Sequence, residues 1–163
     1  MKTLVLYATK YGAAGEIARR IADRIEGAEC YDMKQGGIPP LIGYDRVILG
    51  SSVYIGAIRG EAKTFIAQNK DILLKKKLGL FLSCMEANND DEFFKNNFPG
   101  ELLQSAAAAQ SLGGIFDPKK AGFLERLVVK IASRRIGQPG NTGYFSNIDD
   151  ARIEQFVRDV LSA

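Results

Sequence analysis

The stretch Thr9-Lys10-Tyr11-Gly12-Ala13-Ala14 places a hydroxyl, a cation, a glycine and two methyl side chains where the strand-like run TLVLYA hands over to helical periodicity. These residue types suit an anion. A helix N-terminus offers unpaired backbone N–H groups and the positive end of the helix dipole, which together hold a phosphate. Gly12 lets the backbone curl in close, and Ala13 and Ala14 keep side chains small. Thr9 can donate a hydroxyl hydrogen bond and Lys10 can add charge. The pattern is neither a Walker A loop nor Gly-x-Gly-x-x-Gly. Taken alone, it also reads as an ordinary strand–helix connection with a capping threonine.

Two further stretches carry chemistry. LGSSVYIGAIRG follows the third strand-like run and puts Ser51, Ser52, Val53, Tyr54, Ile55 and Gly56 at its carboxyl end. A flat heteroaromatic ring could lie against Tyr54 or Ile55, and Gly56 gives a peptide free to change orientation. SCMEANNDDE follows the fourth run, with Ser83, Cys84, Met85, Glu86, Ala87 and Asn88. Its amides could bond a ring edge, although Asn and Asp are common in any turn. Cys84 and Met85 read best as packing.

Composition narrows the chemistry. Histidine is absent, which removes Ser-His-Asp and Cys-His catalysis and most zinc and haem sites. The cysteines, Cys30 and Cys84, have no metal-ligand or Cys-x-x-Cys spacing, so no metal is expected. Difficult chemistry would then come from a bound organic cofactor. The formal charge is only +3, with no nucleic-acid motif. No apolar run approaches the roughly 20 residues of a membrane span, and the N-terminus does not read as a signal peptide. The expected location is cytoplasmic.

The elements that must position these residues alternate. TLVLYA (3–8) predicts a buried strand, and Ile17, Ala18, Ile21, Ala22 and Ile25 predict a helix ended by Gly27. AECYDM (28–33) is a weak second strand and DRVILGSS (45–52) a third, followed by a loop and a helix over 61–69. KKKLGLFLSC (75–84) carries the fourth strand. A helix over 91–109 is expected, broken near Phe98-Pro99-Gly100, then a fifth strand over 109–117. The terminal helix has Asn147 as its expected N-cap. Strand–helix alternation predicts one α/β domain over 1–163, a doubly wound five-stranded parallel sheet with helices on both faces. In such a sheet ligands bind beyond the carboxyl ends of the strands, where the winding reverses.

The segment at about 118–143 is an elaboration before the last helix. Leu124, Leu127, Val128 and Ile131 share a helical face, flanked by Lys119, Lys120, Arg126, Lys130, Arg134 and Arg135. A basic amphipathic helix can lie on the anionic inner face of a membrane, attract an acidic partner or carboxylate-bearing substrate, or simply pack on the sheet.

Together, ATKYGAAGEIA, DRVILGSSVYIG and the polar loop after the fourth strand resemble the flavodoxin family over nearly the whole chain. The likeness is nearest to the flavodoxin-domain group that includes menaquinone-dependent protoporphyrinogen dehydrogenase, which has a similar basic helix before the last helix. The resemblance implies a flavodoxin-like fold and FMN as cofactor. It implies a phosphate loop at Thr9–Ala14, and an isoalloxazine ring flanked by Ser51–Gly56 and Ser83–Asn88. The Gly56 peptide would hydrogen-bond flavin N5. Three departures bear on FMN, the first being Tyr11 in place of the second hydroxyl residue common beside the glycine. Ala14 stands where the family usually has threonine, a lost contact worth ~1 kcal/mol, and tryptophan is absent, leaving Tyr54 as the stacking candidate. The resemblance implies electron transfer from a reduced, porphyrinogen-like substrate to a quinone or another acceptor. The alternatives are a plain electron carrier docking on partner proteins and a cofactor-free interaction module.

Overall fold

The computed structural model describes residues 1–85, 90–120, 122 and 143–163. Five parallel strands form the sheet: β1 (Thr3–Ala8), β2 (Glu29–Asp32), β3 (Arg46–Tyr54), β5 (Lys77–Ser83) and β6 (Ala106–Ser111), in the order β2-β1-β3-β5-β6. A short β4 (Ala57–Ile58) folds back antiparallel on the end of β3. The helices are α1 (Ala13–Ala22), α2 (Gly60–Leu73), α3 (Asp90–Asn97), α4 (Gly100–Ser105) and α5 (Asp150–Ser162).

The period-2 alternation of the strands builds a core on each side of the sheet. Leu4, Leu6, Val47, Leu49, Leu80 and Leu82 face α2, α3 and α4, meeting Ile66, Leu73, Phe94 and Leu102. Val5, Ile48 and Phe81 face the opposite way, against Ile17 and Ile21 of α1 and Phe156 and Val160 of α5. Strands buried on both faces explain why these runs read as continuous apolar segments. Gly50 is required by its neighbour in the pairing: a Cβ there would stand 2.0 Å from Cζ of Phe81, its partner on β5.

Several boundaries differ from expectation. α1 stops at Ala22, and Gly27 closes the turns that follow it rather than the helix itself. β3 runs on to Tyr54, because the expected loop is a hairpin into β4. The alanine run Ala106–Ala109 is strand, not helix: it pairs with β5 from Leu78↔Ala106 to Leu82↔Ser111. Ladder pairing overrides the helix propensity of alanine there. The rest of the expected fifth strand splits off: Ile115–Phe116 (β7) pairs antiparallel with Phe145–Ser146 (β8) in a separate ribbon. That ribbon joins the residues flanking the elaboration. The N-cap of α5 is Asp149, whose side chain accepts from the N–H of Ala151 and Arg152, and not Asn147.

Candidate functional site

β1 and β3 end side by side, Ala8 opposite Ser51. β2 lies to one side of this pair and β5 to the other, so the winding reverses between β1 and β3. The crevice of a doubly wound sheet opens at that reversal, and the first turn and the β3–β4 hairpin both stand there.

The first turn is shaped by its own residues. Thr9 Oγ1 accepts from the Gly12 N–H at 2.9 Å, so the threonine closes the turn. Gly12 is the N-cap of α1, at φ 102, with no side-chain cap. The first intrahelical bond runs from the Glu16 N–H to the Gly12 carbonyl. The N–H groups of Ala13, Ala14 and Gly15 therefore head the helix without carbonyls of the same helix to bond. Ala14 is fully buried in the core, which adds a packing reason for its small side chain. Glu16 pairs with Arg20 at 3.0 Å, a bond that lowers the pKa of its carboxyl, so its charge is neutralised beside the turn.

The second wall is bound to the first. The Lys10 N–H donates to Ser52 Oγ at 3.2 Å. Ser51 is buried and faces inward: its Oγ donates to the Ser52 carbonyl and accepts from the Arg59 N–H, both at 3.0 Å. The serine pair thus fastens loops together. Val53 and Tyr54 pair with Ile58 and Ala57 around Ile55 and Gly56, at φ 49 and φ 72. Consecutive positive φ values mark a type I′ hairpin turn. An isoleucine there is unusual, because its branched side chain resists the left-handed region. Ile55 is 86% exposed. The Lys10 ammonium lies 3.2 Å from the centroid of the Tyr54 ring and 4.9 Å from that of Tyr11.

At the third wall Ser83 is buried, Cys84 half-buried and Met85 exposed. Glu86, Ala87 and Asn88 lie outside the described residues, as do Arg126, Lys130, Arg134 and Arg135. Lys119 and Lys120 are exposed; their N–H groups bond Asp117, and Lys120 Nζ donates to the Tyr11 carbonyl at 3.4 Å. The start of the elaboration is thereby drawn against the first turn. A cleft of about 350 Å³ runs there, lined by Tyr11, Gly12, Lys120, Tyr144 and Ser146 among others. A cleft of about 440 Å³ beside Met33, Ile38 and Phe65 shares no residue with the three loops. The smaller one borders the first turn at Tyr11 and Gly12 and meets neither the β3–β4 hairpin nor Ser83–Met85. Cys30 is half-buried, and burial pushes its thiol pKa up to about 11.

Asn97 is not among the residues singled out in the sequence, and Asn147 has a role other than the cap expected of it. Asn97, at the end of α3, donates to the Gly56 carbonyl at 2.9 Å and accepts from the Ile58 N–H at 2.9 Å. Asn147 accepts from the Gly114 N–H at 2.8 Å and donates to the Met85 carbonyl at 3.1 Å. Each staples a rim loop to a distant part of the chain. Asn97 carries no local signal, being one polar residue in a polar helix.

A parallel sheet covered by helices on both faces, with its winding reversed between β1 and β3, is a doubly wound α/β domain. Comparison with known proteins makes this specific. The flavodoxin-domain family model matches residues 4–142, and the chain belongs to that family. Its strand order is the one for which flavodoxin is itself the reference case. Oxidised flavodoxin 1 from Bacillus cereus superposes with a TM-score of 0.60 at 18% identity, over 99% of this chain and 98% of that one. A mutant flavodoxin from Fusobacterium nucleatum, bound to flavin mononucleotide, gives 0.50 at 11%, over 99% and 95%. Rubredoxin oxygen:oxidoreductase from Desulfovibrio gigas gives 0.56 at 14%, over 98% of this chain but only 34% of that one. At these identities the structures share the fold. No curated protein matches the chain. No helix among the described residues is long and apolar enough to cross a membrane.

Proposed function

We propose that the chain is an FMN-binding redox protein. The observation that carries this reading is the Gly12 N-cap, left-handed and without a side-chain cap, which leaves the Ala13–Gly15 N–H groups to a phosphate at the switch point. The residues fit the group: a cradle of backbone donors for the phosphate, with Tyr54 and the Ile55–Gly56 turn on one side of a planar ring and Ser83–Met85 on the other. FMN, when bound, supplies the electron transfer. The chain's own residues bind and orient. Thr9 closes the turn by taking the Gly12 N–H, Ser52 fixes that turn against β3, and Asn97 holds the hairpin.

Among redox roles we favour an oxidoreductase taking electrons from a reduced organic, porphyrinogen-like substrate and passing them to a quinone. Lys120 at the first turn, and the basic segment that begins beside it, would suit a carboxylate-bearing substrate. A plain carrier docking on an acidic partner protein is the second reading. It would bind FMN and turn over no small substrate, whereas a cofactor-free module would bind no flavin.

The test is visible absorption after FMN is added and the free flavin removed by desalting. Flavin retained at about one per chain is the expected result; a folded protein that keeps none would remove both redox readings. Turnover with porphyrinogen and quinone then separates enzyme from carrier.

A further inference from the structure

The Lys10 side chain stands in the place a planar ligand would need. Its ammonium lies 3.2 Å from the Tyr54 centroid, within the layer that a ring stacked on Tyr54 would fill. Lys10 comes from the first turn, on the opposite wall, so the covered face of Tyr54 is the one turned toward that turn. Tyr11 backs the same ammonium from 4.9 Å. A cation between two phenol rings is held by both ring quadrupoles. The backbone of Lys10 is fixed through its N–H on Ser52, while the flexible four-carbon stem lets the charge swing. Gly12 and the head of α1 lie two residues further along the same turn, so the phosphate seat is within reach of that swing.

We infer that Lys10 selects phosphorylated over unphosphorylated flavin: its ammonium plugs the Tyr54 face, and a ligand's phosphate draws it off so that the ring can take its place. This rests on the reading of the crevice as a flavin site. A ligand with phosphate repays the lost ring contacts with a charge-assisted bond. A ligand without phosphate must expel the ammonium with nothing in return. The residue therefore acts twice in the same direction, raising affinity for FMN and lowering affinity for riboflavin. A lysine that only paired with phosphate would leave riboflavin binding alone.

The experiment measures the dissociation constants of FMN and riboflavin, by quenching of flavin fluorescence, for the wild-type chain, Lys10→Gln and Lys10→Arg. Lys10→Gln should bind FMN about tenfold more weakly and riboflavin at least about threefold more tightly. Lys10→Arg, which keeps the charge and stacks on Tyr54, should retain the wild-type preference. Riboflavin affinity unchanged or weakened in Lys10→Gln overturns the inference while FMN binding by the wild type upholds the flavin site. A wild-type chain that binds neither flavin overturns both. Should Lys10→Gln fail to fold, Lys10→Met, similar in length and uncharged, carries the same expectation.

Discussion

Ile55 concentrates the conflict between local preference and position. A β-branched residue at φ 49 is held in the left-handed region that costs an L-residue roughly 1–2 kcal/mol. Its side chain is exposed, so no buried contact offsets that cost. The strain is imposed by the hairpin, whose flanking pairs Val53↔Ile58 and Tyr54↔Ala57 require positive φ at both central residues. Asparagine tolerates this conformation. Ile55→Asn should therefore raise unfolding stability by about 1 kcal/mol, read as a higher urea midpoint at unchanged m-value. A lower midpoint would show that Ile55 makes a contact worth more than its strain. Strained backbone gathers at functional sites, and this one lies on the rim where the ring would sit.

At the scale of elements, the crevice is assembled by side chains that reach from one element to another. Asn97 is the clearest case. It is the last residue of α3, yet its amide holds the Gly56 carbonyl and the Ile58 N–H, and it also donates to Phe93 at 2.8 Å within its own helix. Asn97→Ala would leave a part-buried N–H without its partner, at a cost of about 1–3 kcal/mol. Faster amide hydrogen exchange at Ile58 and weaker FMN binding should accompany that loss, with exchange in β1 unaffected. The first turn and the hairpin are linked through Lys10 and Ser52, so loosening one wall would be felt at the other.

Across the whole molecule, the two cores clamp the sheet from both sides, and the charged groups gather where elements meet. One junction is under electrostatic strain. Asp90 opens α3 against Ser111 at the end of β6, where Arg152 of α5 donates to the Ser111 carbonyl at 3.4 Å. Asp90 Oδ1 and Ser111 Oγ are buried and make no hydrogen bond of good geometry among the described residues, so Ser111 helps the carboxylate only weakly. Burial raises the Asp90 pKa above its ordinary value, against opposing help from Ser111 and Arg152, with Asp91 adding to the rise. The folded chain then holds this proton more tightly than the unfolded chain. Stability falls as pH rises from the ordinary Asp range through the raised folded pKa, and the full cost is present above it. Asp90→Asn should be more stable than the wild type at pH 7, and the gap should close as pH is lowered through that window. Thermal melts across pH measure it; a constant gap would mean that Asp90 does not titrate differently in the folded state.

What the amino-acid sequence determined alone is what local chemistry decides. TLVLYA is a strand because it is a short apolar run, and the turn Thr9–Ala14 precedes a helix because Ile17, Ala18 and Ile21 share one face. The alternation of strands and helices was enough for the doubly wound sheet, and Gly12 marked the place where the backbone turns left-handed. Tertiary structure decided the rest, where pairing or long-range bonding overrules propensity. Alanines 106–109 become strand because β5 offers them a ladder. Asn147 gives up the cap to Asp149 because its amide is taken by Gly114 and Met85. Ser51, expected at the crevice, turns inward to hold Arg59. Lys10 lies on Tyr54, far along the chain, only because β1 and β3 end side by side. Contacts between residues so far apart leave no periodicity and no local spacing, so only the folded chain brings them into view.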